Sequence, residues 1–266
     1  MTAVFQKNPE SPQQPASTTK VVNALVFNDW VAGALLDATV EVSGADTVNW
    51  STNSNAGLLS GDVISYRDLL YGSMVPSGND AAKCIARHVG TLIIAGAGPG
   101  GSSDPVTRFV EAMGAKAAEL GMATATFGDP FGADLANQMS ASDLATAMVA
   151  LSGHPLLVTV AGTMSRGLTI TGPNARTQTV THTVQANIAP AGPVPMPEFI
   201  AGKTGTMFYG GGNSQHDSGG CLVVLWEAPS GSRRVTVVLG SELPDPIRYR
   251  DVRKLIDYEL ARLGDL

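Results

Sequence analysis

The stretch that most constrains this chain is Pro15-Ala16-Ser17-Thr18-Thr19-Lys20, followed at once by the apolar run Val21-Val22-Asn23-Ala24-Leu25-Val26-Phe27. Proline ends whatever element precedes it, and the run behind has helical spacing at Val21/Leu25 and Val22/Val26. A helix from about Ser17 to Asn28 puts Lys20 one turn after the serine on the same face. A serine hydroxyl is a poor nucleophile until a base takes its proton. A lysine amine becomes that base once burial or a second cation lowers its pKa. Free N–H groups and the positive end of the helix dipole favour an oxyanion at the same place. The stretch therefore predicts a helix carrying nucleophile and base together. S-x-x-K is a short pattern, so the remaining chain has to supply an oxyanion partner, a second proton-transfer group and a substrate anchor.

Composition narrows the class. With 266 residues, 44% of them hydrophobic, the chain can bury a sizeable core in one large domain or two interleaved parts. Charged residues make up only 15%, the net charge is −6, and no basic run mixes with aromatics, which argues against nucleic acid as a partner. No apolar run reaches about 18 residues, so no membrane span is expected. Residues Met1 to Glu10 lack a basic region followed by an apolar core, so no signal peptide is visible. Cys84 and Cys221 sit in apolar surroundings and read as buried free thiols, a disulfide being the lesser alternative. His88, His154, His182 and His216 show no metal-ligand spacing, so no metal site is expected from them.

Taken in order, residues 3–7 read as a short strand and 8–16 as a loop. After the first helix, 38–62 suits small strands or turns. Helical periodicity then gives helices over Tyr66–Ser73 and Asn79–Val89. Asp104-Pro105 is a cap followed by proline at the first helical position, and Gly121 closes that helix. Residues 122–139 read as a long loop, and Ser140-x-x-Asp143 opens another helix. After Pro155 the texture turns to alternation, through 168–171, 177–184, 199–203, 220–227 and 234–240, which reads as an antiparallel sheet. Asp245-Pro246 starts a last amphipathic helix to about Leu263. The layout is α/β: an antiparallel sheet flanked by helices, with an inserted all-helical region. The α/β part is expected at about 1–62 and 156–266, the helical part at about 63–155, in a single catalytic domain.

Two further short motifs complete an ordered set. Ser77-Gly78-Asn79 lies in a turn between two helices, and Lys203-Thr204-Gly205 ends a strand and is followed by Thr206. S-x-x-K at a helix start, S-x-N in an interhelical turn and K-T-G on a strand form the set of β-lactamases and penicillin-binding proteins. The chain resembles the serine-type D-alanyl-D-alanine carboxypeptidases, the low-molecular-weight penicillin-binding proteins. The resemblance extends to Tyr66-Arg-Asp-Leu-Leu-Tyr71, Pro76 to Ala82, Ala115 to Gly121, Cys221 to Val224 and Val237 to Gly240, nearly the whole chain.

That resemblance implies the fold shared with β-lactamases, no cofactor, peptidoglycan stem peptide as substrate, β-lactams as inhibitors and a periplasmic or extracellular place of work. It implies Ser17 as acylated nucleophile, Lys20 as its base, Ser77 as proton relay to the leaving amine, and Asn79 as holder of Lys20 and the substrate amide. Lys203 would supply positive potential and Thr204 would bind the terminal carboxylate. The amides of Ser17 and Thr206, beside Gly205, would form the oxyanion hole, and Arg248 would also meet the carboxylate. Lys20 and Lys203 near one pocket would repel, lowering the pKa of the base.

The sequence departs from the family in three places. The chain begins where the family's second strand would run, leaving out a first strand and an export signal. Phe127-Gly-Asp-Pro-Phe-Gly132 stands where the family usually has Asn-Pro-x-Gly. The hairpin from Met207 to Gly219 is long and includes Gly210 to Gly212, Asn213, Gln215, His216 and Asp217, a loop placed to alter substrate choice. Two alternatives remain beside carboxypeptidase activity. One is a β-lactam, ester or D-amino-acid amide hydrolase on the same site. The other is a catalytically weak protein that binds penicillin or muropeptide.

Overall fold

The structure, a computed structural model, describes residues 3–184, 188, 198–208, 217–243 and 246–263. Helix α1 (Lys20–Trp30) continues from a 3-10 turn at Ala16–Thr19, and every residue from Lys20 to Phe27 is buried. A helix apolar nearly all round belongs at the centre of a fold. Around α1 pack α2 (Tyr66–Met74), α3 (Asn79–Ala95), α4 (Pro105–Glu119), α5 (Ala141–Ser152) and α6 (Pro155–Gly162).

The caps agree with the sequence. Asp104 accepts the Thr107 amide with Pro105 at the first helical position, and Ser140 and Asp143 form a reciprocal capping box. Helix α3 runs six residues past its expected end at Val89. Gly90, which reads as a breaker, is a packing position: a Cβ there would lie 1.8 Å from the Pro105 carbonyl oxygen, so glycine lets α4 start against α3. Helix α6 was not expected, because Val158-Thr159-Val160 suits a strand by propensity. Burial of Leu157, Val160 and Ala161 in the common core outweighs that preference.

The described strands form two antiparallel sheets rather than one. Strands β1 (Thr39–Glu41), β2 (Val63–Ser65), β3 (Ser165–Thr171) and β4 (Arg176–Thr181) pair in that order. Strands β5 (Glu198–Met207), β6 (Gly219–Glu227) and β7 (Arg233–Ser241) make the second. The patterns differ accordingly. Strand β3 alternates exposed and buried residues, whereas β6 is buried from Gly220 to Trp226. Leu222, Val224 and Trp226 face α7 (Ile247–Leu263), while Val223 and Leu225 join the helical core. Period-two alternation thus serves two apolar layers.

Residues 3–7 are not a strand. Phe5 stacks edge-on against Tyr258, and Arg262 Nη1 donates to the Val4 carbonyl at 2.9 Å, so the segment docks on α7. The expected strand over 177–184 stops at Thr181. Asp245, expected as the cap of the last helix, lies outside the described residues. Among the described residues no single helix is long and apolar enough to cross a membrane; the apolar pair α5 and α6, bent by 111°, belongs to the core.

Candidate active site

The turn that carries Ser17 is held in an uncommon backbone state. Ala16 has φ +47°, a left-handed conformation that costs a non-glycine residue about 1 kcal/mol or more. The turn is braced from within: the Ala16 amide donates to Gln14 Oε1 at 2.6 Å, and Thr18 Oγ1 to the Pro15 carbonyl at 2.6 Å. From outside, Gly132 (φ +93°) sits so close that a Cβ would lie 1.9 Å from the Ala16 carbonyl oxygen. Ser77 also has positive φ, +65°. Neither residue type advertises this in the sequence.

Lys20 Nζ is fully buried and has three acceptors: Ser17 Oγ at 2.8 Å, Asn79 Oδ1 at 2.7 Å and the Phe131 carbonyl at 3.2 Å. Three acceptors match the three protons of an ammonium. Burial pulls its pKa from 10.5 to about 7, while the charges of Asp129 and then Asp80 oppose the fall. The sequence left two causes open for that fall, burial or a second cation, with Lys203 as the cation. Burial is the leading cause, and the repulsion falls on the other lysine: the Lys203 pKa is lowered by burial first, then by Lys20 and Arg248. Near neutrality Lys20 is divided between ammonium and amine, and the amine can accept a proton from Ser17 across the same 2.8 Å contact.

Lysine has no acceptor in its charged form, so the Asn79 amide must present its oxygen to Lys20. Its nitrogen then faces Asn53, donating to Oδ1 at 3.1 Å, and the Asn79 backbone amide donates to the Ser54 carbonyl at 2.9 Å. Lys203, also fully buried, donates to Ser77 Oγ at 2.7 Å and to the Thr204 carbonyl at 2.9 Å. Two lysine–serine pairs therefore face one another across the site.

The third side belongs to β5 and α7. Thr204 Oγ1 lies 2.8 Å from Thr183 Oγ1, and Tyr249 donates its hydroxyl to the Thr183 carbonyl at 3.0 Å. Arg248 Nη1 donates to the Gly205 carbonyl at 2.7 Å and more weakly to that of Cys221 at 3.4 Å. Ser17, Ser54, Ser77, Thr183, Thr204, Gly205, Thr206, Arg248 and Tyr249 line one cavity of about 320 Å³. A larger cleft of about 820 Å³, bordered by Gln13, Leu135, Gln138 and Phe208, contains none of the nine. Both serines of the lysine–serine pairs, Ser17 and Ser77, open on the smaller cavity.

The fold thus brings Ser17, Lys20, Ser77, Asn79, Lys203, Thr204, Gly205, Thr206 and Arg248 together. Sequence reasoning missed Thr183, Asn53, Ser54 and Tyr249, and did not see that the 127–132 segment touches Lys20. Gly210 to Gly212, Asn213, Gln215 and His216 lie outside the described residues. Among the described residues no group of three or more His, Cys, Asp or Glu could hold a metal ion. His182 is buried beside Lys203, its pKa lowered to about 4 by burial first and the lysine second; it joins the Ala161 carbonyl to the Val184 amide. Cys84 and Cys221 are buried free thiols, the latter with its pKa pushed up by burial to about 11.

Comparison with known proteins agrees with this geometry. Residues 2–187 match the family model described as D-alanyl-D-alanine carboxypeptidase. The chain belongs to that family. It is similar to a D-alanyl-D-alanine endopeptidase of Pseudomonas aeruginosa, 30% identical over 175 residues, covering 64% of this chain and 50% of that protein. It is also similar to a D-alanyl-D-alanine carboxypeptidase of Streptomyces sp. strain K15, 34% identical over 123 residues, covering 46% and 40%. The solved structure of the Streptomyces K15 DD-transpeptidase superposes with a TM-score of 0.79 at 25% identity, covering 97% of this chain and 92% of that one. The chain therefore has the α/β fold of the DD-peptidases. It spans about half the length of the curated relatives that match first.

Proposed function

We propose that this chain is a serine-type D-alanyl-D-alanine carboxypeptidase, releasing the terminal D-alanine of peptidoglycan stem peptides through an acyl-enzyme on Ser17. The observation that carries the reading is the 2.8 Å contact between Ser17 Oγ and a buried Lys20 whose pKa is brought down to about 7. Neutral Lys20 takes the Ser17 proton as Oγ bonds to the penultimate carbonyl carbon. The oxyanion is met by the backbone amides of Ser17 and Thr206. The peptide C–N bond then breaks as Ser77, held by Lys203, relays to the departing D-alanine amine the proton that Lys20 took, which returns Lys20 to the neutral amine. Water attacks the ester carbonyl and gives up a proton to Lys20, which passes it to the departing Ser17 Oγ across their 2.8 Å contact, so that Ser17 and the shortened peptide are released.

Recognition of the terminal carboxylate falls to the Thr204 hydroxyl and the positive charge of Arg248, both on the cavity wall. β-Lactams, which present a carboxylate and a reactive amide, acylate the same serine as inhibitors. A stem-peptide substrate places the work at the cell wall, in the periplasm or outside the cell. Intact-protein mass spectrometry after exposure to benzylpenicillin, with peptide mapping, tests the reading. One adduct on Ser17, lost in Ser17→Ala together with D-alanine release, is expected. Labelling that persists in Ser17→Ala would remove the assignment.

A further inference from the structure

Asp129 opens Asp129-Pro130-Phe131-Gly132, at the place of the asparagine in the family's usual Asn-Pro-x-Gly. Its carboxylate is filled by the backbone just after it. Oδ1 accepts from the Phe131 and Gly132 amides at 2.9 and 2.6 Å, and Oδ2 from the Ala133 and Asp134 amides at 2.8 and 2.7 Å. Four donors on one carboxylate wind the loop tightly and fix the direction of its carbonyls. Two of those carbonyls land on α1: that of Pro130 accepts from Asn23 Nδ2 at 3.0 Å, and that of Phe131 from Lys20 Nζ at 3.2 Å. Asp129 has no direct part in the reaction proposed above.

We propose, resting on that reading, that Asp129 is a positioning residue for the base. Its hydrogen bonds hold the Phe131 carbonyl on the Lys20 nitrogen, and its charge favours the ammonium form between proton transfers. Among the described residues, the charged groups that face Lys20 are Asp129 in the loop, Asp80 on α3 and Lys203 on β5. Burial lowers the Lys20 pKa most, and Asp129 is the larger of the two charges that hold it up. An asparagine at 129 removes that charge and sets an NH₂ group against two of the four amide donors. The amine then loses its proton at lower pH, while the carbonyl that seats it is less firmly placed. The charge widens the ammonium range and the hydrogen bonds set the geometry, so two variants separate the effects.

The test is the second-order rate of Ser17 acylation by benzylpenicillin, read by intact mass over the pH range around neutrality. Asp129→Asn, which keeps the side chain's size, is expected to move the acid limb to lower pH and to lower the plateau roughly tenfold. Asp129→Glu keeps the charge but displaces the carboxylate, so its limb should stay while its plateau falls. A D129N profile that coincides with the unsubstituted protein overturns the proposal. So does one in which only the melting temperature drops, since that is a structural role alone. If D129N does not fold, an unchanged D129E plateau overturns it instead. Absence of any Ser17 adduct in the unsubstituted protein would strike the proposed function itself, and is distinguishable because no variant is needed to see it.

Discussion

Lys20 ties burial to chemistry. A buried ammonium is costly, and the protein answers with three acceptors and a pKa of about 7. Only the neutral amine accepts the Ser17 proton, so acylation should rise with pH through a limb near 7, read from labelling rates. The same shift has a stability sign. The folded pKa lies below the unfolded value of 10.5, so between about 7 and 10.5 the unfolded chain binds more protons. The burial cost is complete below that window and fades as pH rises through it. Lys20→Ala should cost roughly two to four orders of magnitude in acylation rate, the usual weight of a positioned base; a loss under about tenfold would point to another base.

Thr183 bears on how Thr204 can donate. Two hydroxyls 2.8 Å apart share one hydrogen bond, in which either can be the donor. If Thr204 is to donate to a carboxylate, Thr183 must donate to Thr204. Thr183→Val should therefore weaken peptides with a free carboxylate by about 1 kcal/mol, with smaller loss on their amides. Arg248→Ala should show the same contrast at about 1.5–3 kcal/mol, the weight of a charge-assisted hydrogen bond. Equal losses on acid and amide would reduce Arg248 to a brace for the Gly205 carbonyl.

At the scale of elements, the sequence is most legible where the signal is local. Caps at Asp104 and Ser140 and the three short motifs are contiguous, and each lands on the expected kind of element. The features hidden from the sequence depend on distant partners. Helix α6 is made by burial against β5 and α2, which overrides its strand propensity. The split into two sheets depends on pairing, which alternation within a strand does not encode. The 127–132 loop stands out as a departure, but a carboxylate gathering four amides looks like any loop aspartate until folded. Its closure on the nucleophile turn gives a prediction. Gly132→Ala places a methyl on the Ala16 carbonyl at a φ of +93°, and should destabilise the fold by about 1–3 kcal/mol and slow labelling of Ser17. Thermal melting and labelling rates on one preparation would measure both, and an unchanged melting temperature would mean that the loop gives way freely.

The whole molecule decides the fate of the acyl-enzyme. β-Lactamases with these motifs deacylate with the help of a carboxylate, which in the class A enzymes is a glutamate in the helical region. Here residues 121–155 contain no glutamate, and their acids are Asp129, Asp134 and Asp143. The structure commits all three. Asp129 accepts four amides, Asp134 Oδ1 accepts the Ala136 amide at 2.8 Å, and Asp143 caps α5 while bonding Thr124. Asp129 and Asp143 cannot activate water beside Ser17 without unmaking the loop or the helix start that they hold, and Asp134 is exposed on the loop. A peptide acyl-enzyme has already lost its D-alanine, so water can enter and Lys20 can take its proton. A ring-opened penicillin keeps its leaving group tethered in the cavity, where it blocks that approach. The penicillin adduct on Ser17 should therefore persist for minutes or longer while D-alanyl-D-alanine peptides turn over. With nitrocefin the expected trace is a burst of one equivalent per protein and then a very slow steady state. Sustained turnover at many equivalents per second would make the chain a β-lactamase, with one of these aspartates or the 207–219 loop supplying the base.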